Sequence, residues 1–175
     1  REFMHVGAHP LAEAIRRAAG GSLAEELPLY TEYAGVAVLS FKRFMKIACV
    51  IDPHAEPFAA DLPRYIVSQA ITGGVSIVAG LEAPEDVFLE LARRYSHEDF
   101  SAPDALALDS LAEFLNVLNG FFAVRLGERE IELDLELPRT ARALNAKASP
   151  SKLLRLHLDS PVGAFALLLA ADEFL

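Results

Sequence analysis

Apolar residues recur at steps of three and four in the second half of the chain, which predicts a long amphipathic helix over 105–124. The residues of its apolar stripe are Leu108, Leu111, Leu115, Leu118 and Phe122. Asp104 stands just before this helix, where a carboxylate accepts hydrogen bonds from the backbone N–H groups of the first turn. The pattern therefore predicts one buried side and one side that other molecules can reach.

Glu113 and Asn116 lie one turn apart on this helix, away from the centre of the apolar stripe. A carboxylate beside an amide can anchor a cation and orient a water molecule, because an amide both donates and accepts hydrogen bonds. Without further context, this pair is also typical of a solvated helix face. A separate alternative is that Asn119 and Gly120 end the helix and that Phe121 opens the next strand.

The residues from Glu130 to Leu137 alternate between acidic and apolar side chains. Since successive side chains of a strand point to opposite faces, this pattern predicts a half-buried strand with an acidic outer face. Such a face is usually solvated, or it protects a sheet edge from pairing with another chain. A docking surface for a basic partner is the alternative.

The rest of the chain predicts shorter elements. Helices are expected at 10–19 and 83–95, and strands at 35–41, 44–52, 71–81, 153–158 and 163–171. The proline-rich segment 52–63 is expected to be a loop, and 139–151 a mobile polar connector. Because strands are joined by turns as well as by helices, we expect an α+β fold: a mixed or antiparallel sheet with the helices packed on one face.

The composition fits one domain over 4–175, with Arg1 to Phe3 interpreted as a remnant of cloning before Met4. The net charge of −9 argues against a nucleic-acid partner, because a phosphate-binding surface needs clustered Lys and Arg. The only dense basic cluster consists of Lys42, Arg43 and Lys46, and it is too short for a nucleic-acid groove.

No apolar run reaches the roughly 18–20 residues of a membrane span, so no membrane partner is expected. Cys49 is the only cysteine and stands in an apolar run, which predicts a buried, inert thiol and fits a cytoplasmic protein. The histidines and serines form no arrangement of metal ligands or nucleophile and base, so no cofactor is predicted for the chain itself.

Taken in order, the last hundred residues resemble the CheX branch of the CheC/CheX/FliY family of bacterial chemotaxis phosphatases. The residues that carry the resemblance are Ile71, Thr72 and Gly73, then Asp109, then Glu113, Asn116 and Gly120, and finally Pro138 at the end of the alternating strand. The terminal hairpin completes the series. The resemblance is good over 71–175 and poor over the first 70 residues.

The resemblance implies a phosphatase that hydrolyses the aspartyl phosphate of a response-regulator receiver domain such as CheY. Glu113 is expected to pair with the active-site Lys of the receiver, and Asn116 to orient a water for in-line attack on phosphorus. The required Mg²⁺ is expected in the receiver. These roles agree with phosphoryl-transfer chemistry, which depends chiefly on positioning and charge neutralisation.

The resemblance also implies a homodimer formed through the sheets. A single active helix is expected, because in the helix at 10–19 Glu13 is followed by Arg16 and not by Asn. Phe121 follows Gly120, where a small or polar residue is expected. Two alternatives stay open: a catalytically silent module that binds a receiver or another signalling protein, and a domain that only dimerises.

Overall fold

The computed structural model describes residues 2–143 and 152–175, with side chains from Pro10 onward. The helices are α1 (Glu2–Ala19), α2 (Leu27–Ser40), α3 (Glu85–Ser96) and α4 (Ala105–Gly127), and a π-helical turn (Phe41–Met45) continues α2. The strands are β1 (Val50–Ile51), β2 (Arg64–Gly73), β3 (Ile77–Pro84), β4 (Leu133–Leu135), β5 (Arg139–Arg142), β6 (Leu154–Asp159) and β7 (Phe165–Ala170).

All strands of the described chain form one antiparallel sheet in the order β1-β6-β7-β3-β2-β4, and β5 pairs with β2 as well. The helices pack on one face of this sheet and build the main hydrophobic core with it. The chain itself covers the other face with Phe58, Leu153 and Phe174. The predicted α+β fold is confirmed, whereas the homodimer stays a prediction.

The helix α4 is three residues longer than predicted and occupies the centre of the core. Asp104 caps it, because its carboxylate accepts a 2.9 Å hydrogen bond from the backbone N–H of Ala107. The helix continues through Gly120, so the alternative that it ends at Asn119 is wrong. Its length and composition would also fit a membrane span, but the apolar stripe that produces this signal is packed on the sheet.

The predicted strands at 35–41 and 44–52 are wrong. Residues 35–40 belong to α2, residues 41–45 form the π-helical turn, and only Val50–Ile51 is extended. The buried residues of this region recur at helical spacing and include Tyr30, Tyr33, Ala34, Ala37 and Phe41. Because α2 contacts both α1 and α4, it is apolar on several sides. Its valines and the phenylalanines of the π-helical turn are residue types that are also frequent in strands.

The predicted strand 71–81 is divided by a turn: it contains the end of β2, the turn 74–76 and the first five residues of β3, which form a hairpin. At the end of β2 the chain requires glycine, because Gly73 has φ +107° and a Cβ there would lie 2.6 Å from the carbonyl oxygen of Glu132. The first helix starts at Glu2 and not at residue 10.

The acidic alternation of 130–137 is also only partly realised as a strand. The acidic side chains are exposed and Ile131, Leu133 and Leu135 are half-buried, but regular pairing is limited to β4. Leu137 breaks the pattern, because it is 87% exposed. The connector predicted at 139–151 begins with β5, and its remainder from 144 lies outside the described residues. The C-terminal hairpin is confirmed as β6 and β7.

Candidate functional site

Glu113 and Asn116 both lie on the exposed side of α4. The helix holds them there because its opposite side is buried against the sheet. Glu113 lies near the hydroxyl of Tyr95: burial above all, and then the negative charge of Glu113, raise the pKa of Tyr95. An acid and an amide are thus presented together to any molecule that approaches this side of α4.

Asn116 is connected to the core by a chain of hydrogen-bonded side chains that we call the amide ladder: Asn116, Gln69, Asn119 and Tyr33. Gln69 of β2 donates from Nε2 to Asn116 Oδ1 at 2.7 Å. Its Oε1 accepts from Asn119 Nδ2 at 2.8 Å, and Asn119 Oδ1 accepts from the Tyr33 hydroxyl at 2.5 Å. The ladder therefore ties α4 to β2 and α2.

A backbone carbonyl fixes the direction of every amide in this ladder. Gln69 Nε2 also donates to the carbonyl oxygen of Glu136 at 2.7 Å, and a carbonyl oxygen can only accept. The Gln69 nitrogen must therefore face Glu136 and Asn116, so Asn116 must turn its oxygen inward. Glu136 is itself anchored, because its N–H donates to the Ala70 carbonyl at 3.0 Å. As a result, Asn116 directs its NH₂ group away from Gln69, with one lone pair of Oδ1 still free.

The inner part of the ladder is dry. Gln69 is 1% exposed, and Asn119 and Tyr33 are fully buried. Burial raises the pKa of the Tyr33 hydroxyl far above its usual value, so the hydroxyl stays protonated and remains a donor to Asn119. The ring of Tyr33 is held by an edge-to-face contact with Phe122, with the centroids 5.1 Å apart. Asn116 is consequently the exposed end of a buried and fully oriented network.

Two polar residues at core positions, Gln69 and Asn119, are a sign of this ladder in the sequence itself. Gln69 occupies a helix-facing position of β2, between Val67 and Ile71 of the main core. Asn119 sits on the buried side of α4, next to Leu118 in the chain. A buried amide without hydrogen-bond partners lowers the stability of the fold. When two elements each carry one amide at a core position, the two amides are therefore expected to lie together and to share a hydrogen bond.

The ladder makes a prediction about stability. Tyr33→Phe removes the donor to Asn119 Oδ1 and leaves a buried acceptor without a partner, which should lower the free energy of unfolding by about 1–3 kcal/mol. Urea titration followed by circular dichroism measures this loss. Tyr30→Phe, one turn earlier on α2 and outside the ladder, is the matched control. Equal effects of both changes would contradict the hydrogen bond to Asn119.

Gly120 and Phe121 lie on an open part of the α4 surface. No atom of a neighbouring element lies within 4 Å of a Cβ built on Gly120, so no other part of the described chain approaches this glycine closely. A glycine inside a helix costs about 0.5–1 kcal/mol relative to alanine, and nothing in the described fold offsets that cost. Phe121 does not pack behind Asn116, since it is 40% exposed and contacts the ring of Phe44.

Two further residues considered in the sequence lie away from α4. Glu13 of α1 forms ion pairs with Arg16 and Arg17, and the expectation of one active helix stays a prediction. Burial raises the pKa of Cys49 to about 12, so this half-buried thiol stays protonated and is a poor nucleophile, as predicted.

Comparison with known proteins places the site inside a family. The family model described as chemotaxis phosphatase CheX matches residues 65–158, a range that contains β2 from its second residue onward and all of α4 and β4. A comparison with curated proteins found no match.

Solved structures share the fold at low sequence identity. Chemotaxis protein CheX from Desulfovibrio desulfuricans has a TM-score of 0.63 at 10% identity, with 83% of this chain and 99% of that chain covered. CheX from Vibrio vulnificus has a TM-score of 0.64 at 11% identity, with coverages of 79% and 95%. A CheX–CheY–BeF₃–Mg²⁺ complex from Borrelia burgdorferi has a TM-score of 0.62 at 13% identity, with coverages of 82% and 97%. At such identities the likeness concerns the fold alone, but the family model covers more than half of the chain, and the chain therefore belongs to the CheX family of chemotaxis phosphatases.

Proposed function

We propose that this chain hydrolyses the aspartyl phosphate of a response-regulator receiver domain, with Glu113 docking on the receiver and Asn116 orienting the attacking water. The observation that carries the proposal is that Asn116 is exposed while its amide is held in one orientation by Gln69 and the Glu136 carbonyl. Membership of a phosphatase family supports the reaction class. The Borrelia burgdorferi complex supports a receiver as partner, because it joins a protein of this fold to CheY.

In the proposed reaction, the oxygen of a water molecule forms a bond to phosphorus as the bond from phosphorus to the aspartyl oxygen breaks. The aspartate leaves as a carboxylate, and both protons of the water end on the phosphate as H₂PO₄⁻, so the charge of the acyl phosphate dianion is conserved. No general base is required by this balance. The demand on the chain is to hold the water in line with the bond that breaks.

Asn116 suits this demand because of its fixed orientation. Its outward NH₂ donates a hydrogen bond to the water oxygen or to a phosphoryl oxygen, and the free lone pair of Oδ1 accepts a hydrogen bond from the water. An amide that is already oriented loses little entropy when the receiver docks. A module that only binds would not need a four-residue ladder behind one exposed amide, so the ladder favours catalysis over a silent adaptor. In this proposal the Mg²⁺ is held by the receiver.

The decay of phosphorylated receivers with and without this chain tests the proposal. Receiver domains encoded in the same genome are phosphorylated with a small phosphodonor, and the loss of phosphate is followed as inorganic phosphate released. We expect faster decay for at least one receiver, with saturation as receiver concentration rises. Binding of a receiver without faster decay would refute hydrolysis and leave the adaptor.

Glu113→Gln is expected to weaken docking rather than chemistry. The change removes the charge that pairs with the receiver Lys but keeps the size of the side chain, so KM should rise about tenfold while kcat stays within about twofold, as for a charge-assisted pair worth about 1.4 kcal/mol. Steady-state phosphate release measures both constants. Glu98→Gln, an exposed acid beyond the end of α3, is the control. A fall in kcat at unchanged KM would contradict the docking role.

A further inference from the structure

The exposed side of α4 continues past Asn116 into an open groove between α4 and α2. We call it the basic–apolar groove; its volume is about 410 Å³. Its apolar and basic lining includes Val36, Leu39, Arg43, Phe44, Phe121 and Val124; Arg125 and one carboxylate, that of Glu128, line it as well. One wall of the groove is formed by α2, the other wall by α4, and its end by the π-helical turn.

The apolar side chains of this groove are exposed together. Leu39 is 62% exposed, Phe121 40% and Val124 64%. A single exposed apolar residue is ordinary on a protein surface, but a group that lines one concavity is typical of an interaction site. The residue between this group and Asn116 is Gly120, whose missing side chain leaves the helix surface open.

The charge of the groove is opposite to that of the chain. The guanidinium of Arg43 lies 5.4 Å from the ring centroid of Phe44 and 5.3 Å from that of Phe121. Lys42 and Lys46 flank it, and no carboxylate among the described residues forms an ion pair with any of the three cations. On a chain with a net charge of −9, this is a local positive surface available to an acidic partner.

The groove lies within reach of any protein seated on Asn116. Along the axis of α4, at 1.5 Å per residue, Phe121 lies about 7.5 Å and Val124 about 12 Å beyond Asn116, and they are turned about 140° and 80° around the helix from it. A stable interface buries about 800 Å² per partner, which corresponds to a disc of roughly 16 Å radius. A receiver docked with its phosphate at Asn116 is therefore large enough to contact the groove as well.

We propose that the basic–apolar groove is the second docking contact of the receiver domain and takes an apolar side chain flanked by carboxylates on the receiver surface beside its phosphorylation site. The proposal rests on the proposed function for the position of the phosphate. Charge complementarity supports this occupant, because a receiver binds Mg²⁺ through carboxylates as well as through its phosphate, so the surface beside its phosphorylation site is acidic. The basic side chains of the groove match that charge, and because salt screens exposed charges over about 8 Å at physiological ionic strength, the match depends on close contact.

Two variants test this docking contact. Val124→Asp places a like charge against the acidic receiver segment, and Arg43→Glu reverses the cation over the two rings. Each should raise KM at least tenfold and leave kcat within twofold, and each should weaken binding at least tenfold to a receiver loaded with beryllofluoride and Mg²⁺. Raising the salt concentration should weaken binding of the unaltered chain more than that of Arg43→Glu.

Two control variants carry the same types of substitution at positions outside the groove. Val50→Asp alters a valine of similar exposure, 68%, on the edge strand β1, and Arg16→Glu alters an exposed arginine of α1. Variants of the groove that bind like these controls would overturn the proposal. So would variants that change the oligomeric state in sedimentation without changing receiver affinity, because the groove would then join two copies of this chain.

Binding and decay are measured separately, so the two proposals fail differently. A chain that binds the loaded receiver through the groove but does not speed its decay refutes hydrolysis and upholds the docking contact. A chain that speeds decay with groove variants unaffected refutes the docking contact and upholds hydrolysis. If Val124→Asp lowers the thermal midpoint, Leu39→Ser, on the opposite wall, replaces it with the same expected rise in KM.

Discussion

Asn116→Ala is expected to slow dephosphorylation of a saturating receiver by at least about 100-fold. The change removes the exposed end of the amide ladder, so no oriented amide holds the attacking water in line. The loss should appear in kcat, while affinity for a receiver loaded with beryllofluoride and Mg²⁺ changes by less than about threefold. Gln69 keeps its bond to the Glu136 carbonyl, and because Asn116 is exposed, water can replace its Oδ1 as the acceptor of the second Gln69 N–H. The free energy of unfolding should therefore stay within about 0.5 kcal/mol of the original value.

Asn116→Asp is the companion variant for this prediction. It keeps the size of the side chain but lacks the NH₂ donor and adds a negative charge facing the phosphoryl oxygens, so kcat should fall at least as far. An accelerated decay that survives both changes would refute the assignment of Asn116 to water placement.

Gln69→Leu is expected to lower kcat by about 10- to 100-fold although Gln69 is buried and does not reach the receiver. The leucine cannot donate to Asn116 Oδ1, so the exposed amide rotates freely and must be ordered anew at each encounter. KM should hardly change, because Glu113 and the basic–apolar groove are untouched. The same change leaves Asn119 Nδ2 buried without an acceptor, which should lower the free energy of unfolding by about 1–3 kcal/mol.

A triple variant separates positioning from stability. Replacing Gln69 and Asn119 with leucine and Tyr33 with phenylalanine removes all the buried partners of the ladder at once, and such replacement by apolar groups of similar shape is nearly neutral for folding. The triple variant should therefore regain most of the lost stability while kcat stays low. Recovery of kcat together with stability would show that Gln69 has only a structural role.

The candidate site could be predicted only in part from the sequence. The spacing of Glu113 and Asn116 against the apolar stripe was enough to place both on the exposed side of α4, since helical geometry is local. The orientation of Asn116 was out of reach, because its partners Gln69 and Tyr33 are distant in the chain and meet only when β2, α2 and α4 pack. The open space beside Gly120 was out of reach for the same reason, because it is a property of the assembled surface.

The fold shows the same division. The cap at Asp104, the start of α4 and the C-terminal hairpin depend on nearby residues and were predicted correctly, whereas the second half of α2 and the π-helical turn were taken for strands. A segment buried on several sides has apolar residues at most positions, so its composition does not separate helix from strand, and the packing of α1 and α4 around it decides.

The sequence by itself thus determined the α+β class, the family and the helix that carries Glu113 and Asn116, because periodicity and short motifs are properties of neighbouring residues. Only the tertiary structure decided which way Asn116 faces and where the exposed side of α4 opens into a basic and apolar groove. Both depend on hydrogen bonds and surfaces between elements far apart in the chain, and these exist only after the core has formed.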